Sequence, residues 1–332
     1  MENAVSATSL KMQGVGSFSD VSIAVLIPCL NEAKSVNGVV TSFKQALPSA
    51  RIYVYDNGST DETAEEARNA GAIVREELRP GKGNVVRRMF ADIEADVYLM
   101  VDGDGTYDPS IAQKMVSMVV EDGYDLVNAI RVTETDNAYP PLHKFGNTLL
   151  TGLVRRVFQR EVKDMLSGYK ALSRRFVKSF PIFSARFEIE TEITVHAMEL
   201  NASVGELDGV YIDREVGSES KLSTVGDGYR ILRAISKLAR QGRPLMFFST
   251  IGLILAAIAV ILGIPVVITF IQIHKVPRLP TAVLSTGLVL LASLSVTAGF
   301  IVDAVTRSRI ESKILKFLSV PTIQGLEERN QS

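Results

Sequence analysis

Residues 97–104 read Val97-Tyr98-Leu99-Met100-Val101-Asp102-Gly103-Asp104, an apolar run that ends in two acidic residues. The run has the length and composition of a buried strand, so its carboxyl end should present both carboxylates together. Hard divalent cations such as Mg²⁺ or Mn²⁺ take oxygen ligands from one or two carboxylates and from substrate phosphates. The triplet alone is equally typical of a solvated acidic turn. It predicts a metal-diphosphate site only together with residues elsewhere in the chain.

Between residue 21 and about residue 130, short β-rich runs alternate with helical patterns. This alternation predicts an α/β fold with a parallel sheet and crossover helices. Ser59 with Glu62 resembles a capping box, and Pro109 favours a helix start. The predicted strands are 23–28, 52–55, 72–75, 97–102 and 126–130, and the predicted helices are 33–47, 59–69, 83–91 and 109–120.

Polar residues follow three of the predicted strands. Asn31 and Glu32 come after the first strand, Asp56 follows the second, and Asp102 and Asp104 follow the fourth. Ligands of open α/β sheets bind beyond the carboxyl ends of the strands. These residues should therefore meet at one edge of the sheet, which predicts a binding site there.

A glycine-rich stretch, Gly81-Lys82-Gly83, precedes the third predicted helix. It is not a dinucleotide fingerprint, because Val86 stands at the third glycine position and the stretch does not follow the first strand. It also lacks the G-x-x-x-x-G-K-[ST] pattern of a P-loop. One interpretation is a flexible turn. We favour a diphosphate contact at the helix N-terminus, with Arg79 and Lys82 nearby, because the stretch falls between the other polar clusters.

Two long segments near the C-terminus, residues 245–273 and 279–302, contain no Asp, Glu, Lys or Arg. About 20 apolar residues suffice to cross a hydrocarbon core of about 30 Å, so the segments predict a transmembrane hairpin; buried core helices are the alternative. Basic residues on both flanks predict that the large N-terminal part faces the cytoplasm. These residues are Arg230, Arg233, Lys237, Arg240, Arg243, Arg307, Arg309, Lys313 and Lys316.

The remaining segments set the predicted domain limits. Residues 227–244 combine apolar helical spacing with basic residues, which predicts an amphipathic helix at the lipid headgroups or, alternatively, one that packs on the cytosolic domain. A net charge of −1 argues against a nucleic-acid partner, and Cys29, the only cysteine, permits no intrachain disulfide. The predicted division is a flexible N-terminus at 1–20 without a secretory signal, a catalytic domain at 21–226, the juxtamembrane helix at 227–244, two transmembrane helices within 245–303 and a cytoplasmic tail at 304–332.

Seven motifs in sequence order make the chain resemble the family 2 glycosyltransferases, in particular the polyprenyl-phosphate sugar synthases that include dolichol-phosphate mannose synthase. The resemblance covers about residues 21–232. Asn57 and Thr106 depart from the pattern, since relatives often have a second aspartate and a longer side chain there. The motifs are Ile27-Pro28-Cys29-Leu30-Asn31-Glu32, Asp56-Asn57-Gly58-Ser59-Thr60-Asp61, Arg79 to Asn84, Asp102 to Pro109, Asp164-Met165-Leu166-Ser167-Gly168-Tyr169-Lys170, Phe187 to Glu192 and Arg214 to Leu222.

The resemblance implies a GT-A (Rossmann-like) domain that carries out an inverting sugar transfer from a nucleotide sugar to polyprenyl phosphate, at an inner or plasma membrane, for a cell-envelope glycan. It implies that Asp102 and Asp104 hold Mg²⁺ or Mn²⁺. Arg131, Arg214 and Lys221 are candidates for the acceptor phosphate, because cations must gather where a dianion approaches; each could instead be an ordinary surface residue. With Asp104 these three are the predicted catalytic residues. The predicted donor contacts are Pro28, Asn31, Glu32, Asp56, Gly58, Lys82, Gly83, Asp102 and Gly103, and the predicted acceptor contacts are Ser167, Gly168, Glu190 and Ser220.

Two other functions compete with this interpretation. A processive polysaccharide synthase is disfavoured, because the chain has no tryptophan for a Q-x-x-R-W motif and only two predicted spans. A membrane scaffold that binds a nucleotide sugar without transferring it is the alternative from another class. The sequence leaves open the sugar, the nucleotide (a UDP-hexose is favoured, GDP-mannose is not excluded), the polyprenol and any self-association of the spans.

Overall fold

The computed structural model describes residues 21–132, 163–184, 188–212 and 244–323. The described strands are β1 (Ile23–Cys29), β2 (Arg51–Asp56), β3 (Ile73–Glu76), β4 (Val97–Met100), β5 (Leu126–Val132), β6 (Lys170–Ser173) and β7 (Val204–Val210). Within these residues they form one sheet in the order β3-β2-β1-β4-β6-β5-β7. Every strand predicted between residues 21 and 130 is present close to its expected bounds.

The predicted strands β1 to β5 all run in one direction, as expected, but the prediction of a wholly parallel sheet needs correction at β6, which lies antiparallel between β4 and β5. β1 pairs in parallel with β2 and β4, and β2 with β3. β6 lies between β4 and β5 and is antiparallel to both, whereas β7 is parallel to β5. Because β6 runs opposite to β4, its first residue, Lys170, pairs with Met100 at the end of β4. The residues just before β6 therefore lie at the edge where the polar clusters were predicted.

The described helices are α1 (Val36–Ala46), α2 (Thr63–Asn69), α3 (Lys82–Asp92), α4 (Ala112–Val120), α5 (Arg174–Ser179), α6 (Ile189–Glu199), α7 (Pro244–Ile273) and α8 (Leu279–Leu318). The predicted capping box is wrong, since α2 begins at Thr63. The Ser59 hydroxyl instead donates to Asp56 and accepts from the Asn31 N–H. Residues Pro109–Ile111 form a 3₁₀ turn before α4.

Alternating side chains of the buried strands separate two apolar layers. Val25, Ile27 and Leu99 lie in one cluster with α1, α2 and α4. Leu26 and Met100 lie in the other cluster with α3, α5 and α6. Burial of each such side chain contributes about 1.5–3 kcal/mol. Both faces of the sheet are therefore covered, which leaves the strand ends as the place for a ligand.

α7 and α8 are long and apolar enough to cross a membrane. Their most apolar segments are only 17% and 11% buried, whereas the core helix of a soluble protein would be mostly buried. Small residues bring the two helices close together: a Cβ on Gly252 would lie 3.0 Å from the Ala292 carbonyl oxygen. The Ser285 and Ser295 hydroxyls donate to carbonyls of α7. Such contacts are typical of helix packing in lipid.

α8 does not end where the apolar segment ends. It continues through Leu318, so residues 304–318 of the predicted cytoplasmic tail belong to the same helix. Asp303 and Arg307 pair across one helical turn at the end of the apolar segment. Phe317, 7% exposed, packs in the apolar cluster that contains α5 and α6. The hairpin and the sheet domain are thus joined by a helix as well as by the chain before α7.

Candidate active site

The turns after β1 and β2 are tied together by polar side chains. The Asn31 side-chain oxygen accepts from the Thr60 N–H at 2.8 Å, and the Asn31 N–H donates to the Ser59 hydroxyl at 2.9 Å. Asp56, 6% exposed, accepts from the Ser59 N–H and hydroxyl. Gly58 has φ +75°, a conformation that glycine adopts without strain. The structure therefore brings three predicted donor contacts, Asn31, Asp56 and Gly58, together in one bonded pair of turns.

Asn57 holds the glycine-rich stretch against these turns. Its amide nitrogen donates to the carbonyls of Glu77 and Arg79 at 2.7 and 2.8 Å, and its oxygen accepts from the Gly81 N–H at 2.6 Å. An aspartate could not make the first two bonds, because an ionised carboxylate only accepts. The departure from the family pattern at this position thus has a structural role, which is to fix the entry of α3.

Lys82, the first residue of α3, lies at the centre of the site. Its ammonium donates to Asp102 and to Glu190, and the three side chains are 10%, 27% and 7% exposed. Burial alone would lower the pKa of Lys82, but the two carboxylates outweigh burial and raise it. Burial raises the pKa of Glu190 even though Lys82 opposes this. Lys82, which was predicted to contact the donor diphosphate, therefore also links Asp102 to Glu190 of α6.

Glycines allow the backbone to approach Asp102 closely. A Cβ on Gly168 would lie 2.3 Å from Asp102 Oδ2, and a Cβ on Gly103 would lie 2.5 Å from Cys29 Sγ. The Gly168 N–H donates to the Tyr107 hydroxyl at 2.8 Å. No larger residue fits at either glycine without displacing its neighbour. The segment before β6 therefore packs directly on the first carboxylate.

Asp104 is oriented by the next turn. One oxygen accepts from the Thr106 N–H at 3.2 Å and from the Thr106 hydroxyl at 2.7 Å. Thr106 is 1% exposed. Its role in the structure is therefore to orient Asp104.

Arg131 and Lys170 form a second charged group beside the first. Arg131 makes a two-point ion pair with Asp164, at 2.7 and 2.9 Å, and its guanidinium lies 5.6 Å from the Tyr211 ring centroid. Burial alone would raise the pKa of Asp164, but Arg131 lowers it. Lys170, fully buried, donates to the Asn128 side chain, and burial lowers the pKa of Lys170 to about 8. Sequence reasoning omitted Lys170 from the site, although it ends the Asp164–Lys170 motif.

The donor set suits a hard divalent cation. Within the described ranges there is no cluster of three or more His, Cys, Asp or Glu residues that could hold a metal. Asp102 and Asp104 are therefore two carboxylates that leave most of a coordination shell to phosphate and water. Mg²⁺ and related ions bind in this way, through one or two carboxylates plus substrate phosphates.

The described residues account for most of the predicted site. Lys82, Gly83, Asp102, Gly103, Gly168 and Glu190 lie around one centre, with Asn31, Glu32, Asp56 and Gly58 in the adjoining turns. Pro28 lies in β1 beside Tyr55, and Ser167 is buried just before β6. The roles of these residues remain predictions. Arg214, Ser220, Lys221 and most of the juxtamembrane helix lie outside the described residues.

The fold is that of the GT-A glycosyltransferases. Glucosyl-3-phosphoglycerate synthase from Mycobacterium tuberculosis, crystallised with Mn²⁺, UDP and glucosyl-3-phosphoglycerate, superposes with a TM-score of 0.54 at 22% identity, over 67% of this chain and 81% of that one. At this identity the likeness establishes the fold alone.

The comparisons with protein families give the narrower assignment. The model of the family named Glycosyl transferase family 2 matches residues 24–180. Glycosyltransferase AglJ of Haloferax volcanii is 33% identical over 232 residues, which are 69% of this chain and 76% of that one. The dolichyl-phosphate hexose transferase of the same organism is 25% identical over 221 residues, 67% of this chain and 95% of the relative. The chain belongs to glycosyl transferase family 2, and the resemblance seen in its motifs is confirmed.

Proposed function

We propose that this glycosyltransferase moves a hexose from a nucleotide sugar to a polyprenyl phosphate at the cytoplasmic face of a membrane. The observation that carries the proposal is the joining of a family 2 domain to two apolar helices, one of which runs on into the domain core at Phe317. A soluble acceptor would require no such anchor. The dolichyl-phosphate hexose transferase among the relatives supports a lipid phosphate acceptor. Product lipids of this class would feed a cell-envelope glycan.

The proposed transfer reaction does not require a strong general base. A phosphate monoester has a second pKa near 6 and is largely dianionic at pH 7. Its oxygen attacks the anomeric carbon with inversion, the bond from that carbon to the donor diphosphate breaks, and the nucleoside diphosphate leaves with the electron pair. Catalysis therefore depends on positioning and on neutralising two anions that approach each other.

The donor side of the site supplies the positioning. Asp56 and the bonded turns at Asn31 and Gly58 hold the nucleoside, and α3 directs its N-terminal N–H groups and Lys82 toward the diphosphate. Asp102 and Asp104 would hold Mg²⁺ or Mn²⁺, which supplies positive charge to the leaving diphosphate when bound. Solved neighbours with UDP and Mn²⁺ or Mg²⁺ support a divalent ion and favour a UDP-hexose donor.

The acceptor side supplies cations. Arg131, with Arg214 and Lys221 from the segment outside the described residues, receives the lipid phosphate. Arg131 donates two side-chain hydrogen bonds to Asp164. To bind the phosphate, the guanidinium must therefore either contact both anions at once or release Asp164. Ser167, Gly168, Glu190 and Ser220 complete the acceptor side. The basic residues on both flanks of the hairpin support a cytoplasmic orientation of this side.

A donor and acceptor screen tests the proposal. Purified protein in nanodiscs is mixed with polyprenyl phosphate, Mg²⁺ and each common nucleotide sugar, and the lipid product is identified by mass spectrometry. We expect one hexosyl lipid and its loss on chelation of the metal. If the protein binds a nucleotide sugar but forms no glycolipid with any donor, the membrane scaffold is the better description.

A further inference from the structure

The cytosolic end of α8 is fastened to the catalytic domain by two kinds of contact. Lys313 donates to Glu199 at 2.6 Å, and Arg309 lies 3.5 Å from the other Glu199 oxygen. Four residues beyond Lys313, the Phe317 ring packs in the core with the Arg175 guanidinium 4.6 Å from its centroid. The ion pair and the ring therefore hold consecutive turns of one helix.

The ion pair is shielded from water. The Glu199 side chain is 7% exposed and the Lys313 side chain 11%. If α6 and α8 separated, Glu199 would remain as a buried carboxylate without its cation, which is strongly disfavoured. The contact therefore opposes separation of the two helices. Exposed ion pairs, by contrast, contribute little to holding two elements together. The contact is therefore specific enough to set the position of the domain on the hairpin.

Glu199 is also connected to the active site through α6. Glu190 near the start of this helix contacts Lys82, and Glu199 is its last residue. A rise of 1.5 Å per residue puts the two positions about 14 Å apart along the axis. A single rigid helix thus has one end in the charged centre of the site and the other end on the membrane helix.

We propose that Glu199 is a positioning residue, whose ion pairs with Lys313 and Arg309 fix the catalytic domain on the hairpin and so set where the site meets a lipid-borne acceptor. This inference rests on the proposed function. The nucleotide sugar diffuses in water and reaches the site in any orientation of the domain. The lipid phosphate is confined to the bilayer surface, so its effective concentration at the site depends on the geometry of the anchor.

The first test compares two acceptors in phosphatidylcholine nanodiscs. One is long-chain polyprenyl phosphate at varied mole fraction, and the other is a short, water-soluble prenyl phosphate. Glu199→Lys should raise KM for the long-chain acceptor about tenfold and leave the soluble acceptor and the donor within about twofold. Combining Glu199→Lys with Lys313→Glu restores the pair between positions 199 and 313 but leaves a lysine beside Arg309, so KM should recover in part. Glu311→Lys, the same charge change at an exposed position of α8, is the matched control and should have no effect.

The second test measures the anchor without activity. Spin labels are attached through Glu65→Cys on α2 and Ser308→Cys on α8, both exposed, and the native Cys29 is buried and should not react. We expect a narrow distance distribution in the otherwise unchanged protein, a broad one with Glu199→Lys, and a narrower one again in the charge swap.

The outcomes separate the inference from the proposed function. Equal loss on both acceptors, no rescue by the charge swap, or an unchanged distance distribution would overturn the role of Glu199. If the unaltered protein glycosylates neither acceptor, the proposed function fails instead, and the distance measurement then decides alone whether Glu199 fixes the domain.

Discussion

Replacing Gly168 with alanine should disable the site through one contact. The added Cβ would lie 2.3 Å from Asp102 Oδ2 and 2.8 Å from its Cγ. Gly168 is not among the glycines with positive φ, so alanine fits the backbone. The strain therefore falls on the Asp102 carboxylate, which must move away from the segment before β6.

The size of the effect follows from the displacement. Ordinary contact begins near 3.4 Å, so the carboxylate must retreat by about 1 Å. Lengthening the Lys82–Asp102 separation from about 3 to about 4 Å, at an effective dielectric constant of about 20, costs about 1.4 kcal/mol, or about tenfold. Misplacement of a catalytic group by this distance has cost up to about a hundredfold in other enzymes. We expect kcat/KM for Gly168→Ala to fall between these limits.

Steady-state transfer kinetics with the donor varied will measure the effect. Gly38→Ala is the matched control, because a Cβ there meets nothing within 4 Å. A thermal melt should show that Gly168→Ala stays folded. Wild-type kcat/KM in a folded Gly168→Ala protein would refute the steric argument and the place of Asp102 in catalysis.

Other substitutions test separate parts of the site. Asp104→Asn should lower kcat at least about a hundredfold, because a divalent cation held by Asp102 and Asp104 would lose a charged ligand, while the Thr106 contact can persist. Asn57→Asp removes two amide donors worth about 1 kcal/mol each, so nucleotide affinity measured by calorimetry should fall by up to about thirtyfold. Lys221→Ala should raise KM for the lipid phosphate more than KM for the donor. Burial lowers the pKa of His196 to about 3, so the folded state excludes a proton that the unfolded chain binds below about pH 6.5. The protein should therefore lose stability as the pH falls below about 6.5, by about 2 kcal/mol at pH 5. Thermal melts should show that His196→Phe removes this loss.

Each of these expectations has an outcome that contradicts it. Normal transfer by Asp104→Asn would remove the metal hypothesis. Unchanged nucleotide affinity in Asn57→Asp would mean that the loop before α3 plays no part in donor binding. A Lys221→Ala protein with ordinary acceptor dependence would exclude that lysine from the acceptor phosphate. An equal acid loss in His196→Phe and the unaltered protein would show that other groups cause it.

The sequence was sufficient to predict the strands and the shared polar edge, because both follow from local patterns. Apolar runs define β1 and β4. Parallel strands end at the same edge of the sheet regardless of the segments that connect them, so Asp56 and Asp102 were expected at one edge. The insertion of β6 between β4 and β5 could not be predicted, since a four-residue strand has little pattern and its pairing is with distant segments.

Side-chain partners were harder to predict than positions. Lys82 was assigned to the diphosphate, but its second partner, Glu190, is 108 residues away in the chain. Ser59 has the spacing of a helix N-cap, but its hydroxyl donates a hydrogen bond to the nearby Asp56 instead of capping α2. The extension of α8 had a local signal, because no glycine or proline interrupts residues 303–318. Its docking through Glu199 had none.

The small residues between α7 and α8 have a consequence well outside the apolar segments. Gly252 faces Ala292 and Val296, so a slip of α8 by one helical turn would set bulkier side chains against that glycine. Since α8 is unbroken, such a slip would shift Phe317 along the axis by about 5.4 Å. The close fit between the two apolar helices thus also sets the axial position at which Phe317 meets the catalytic domain.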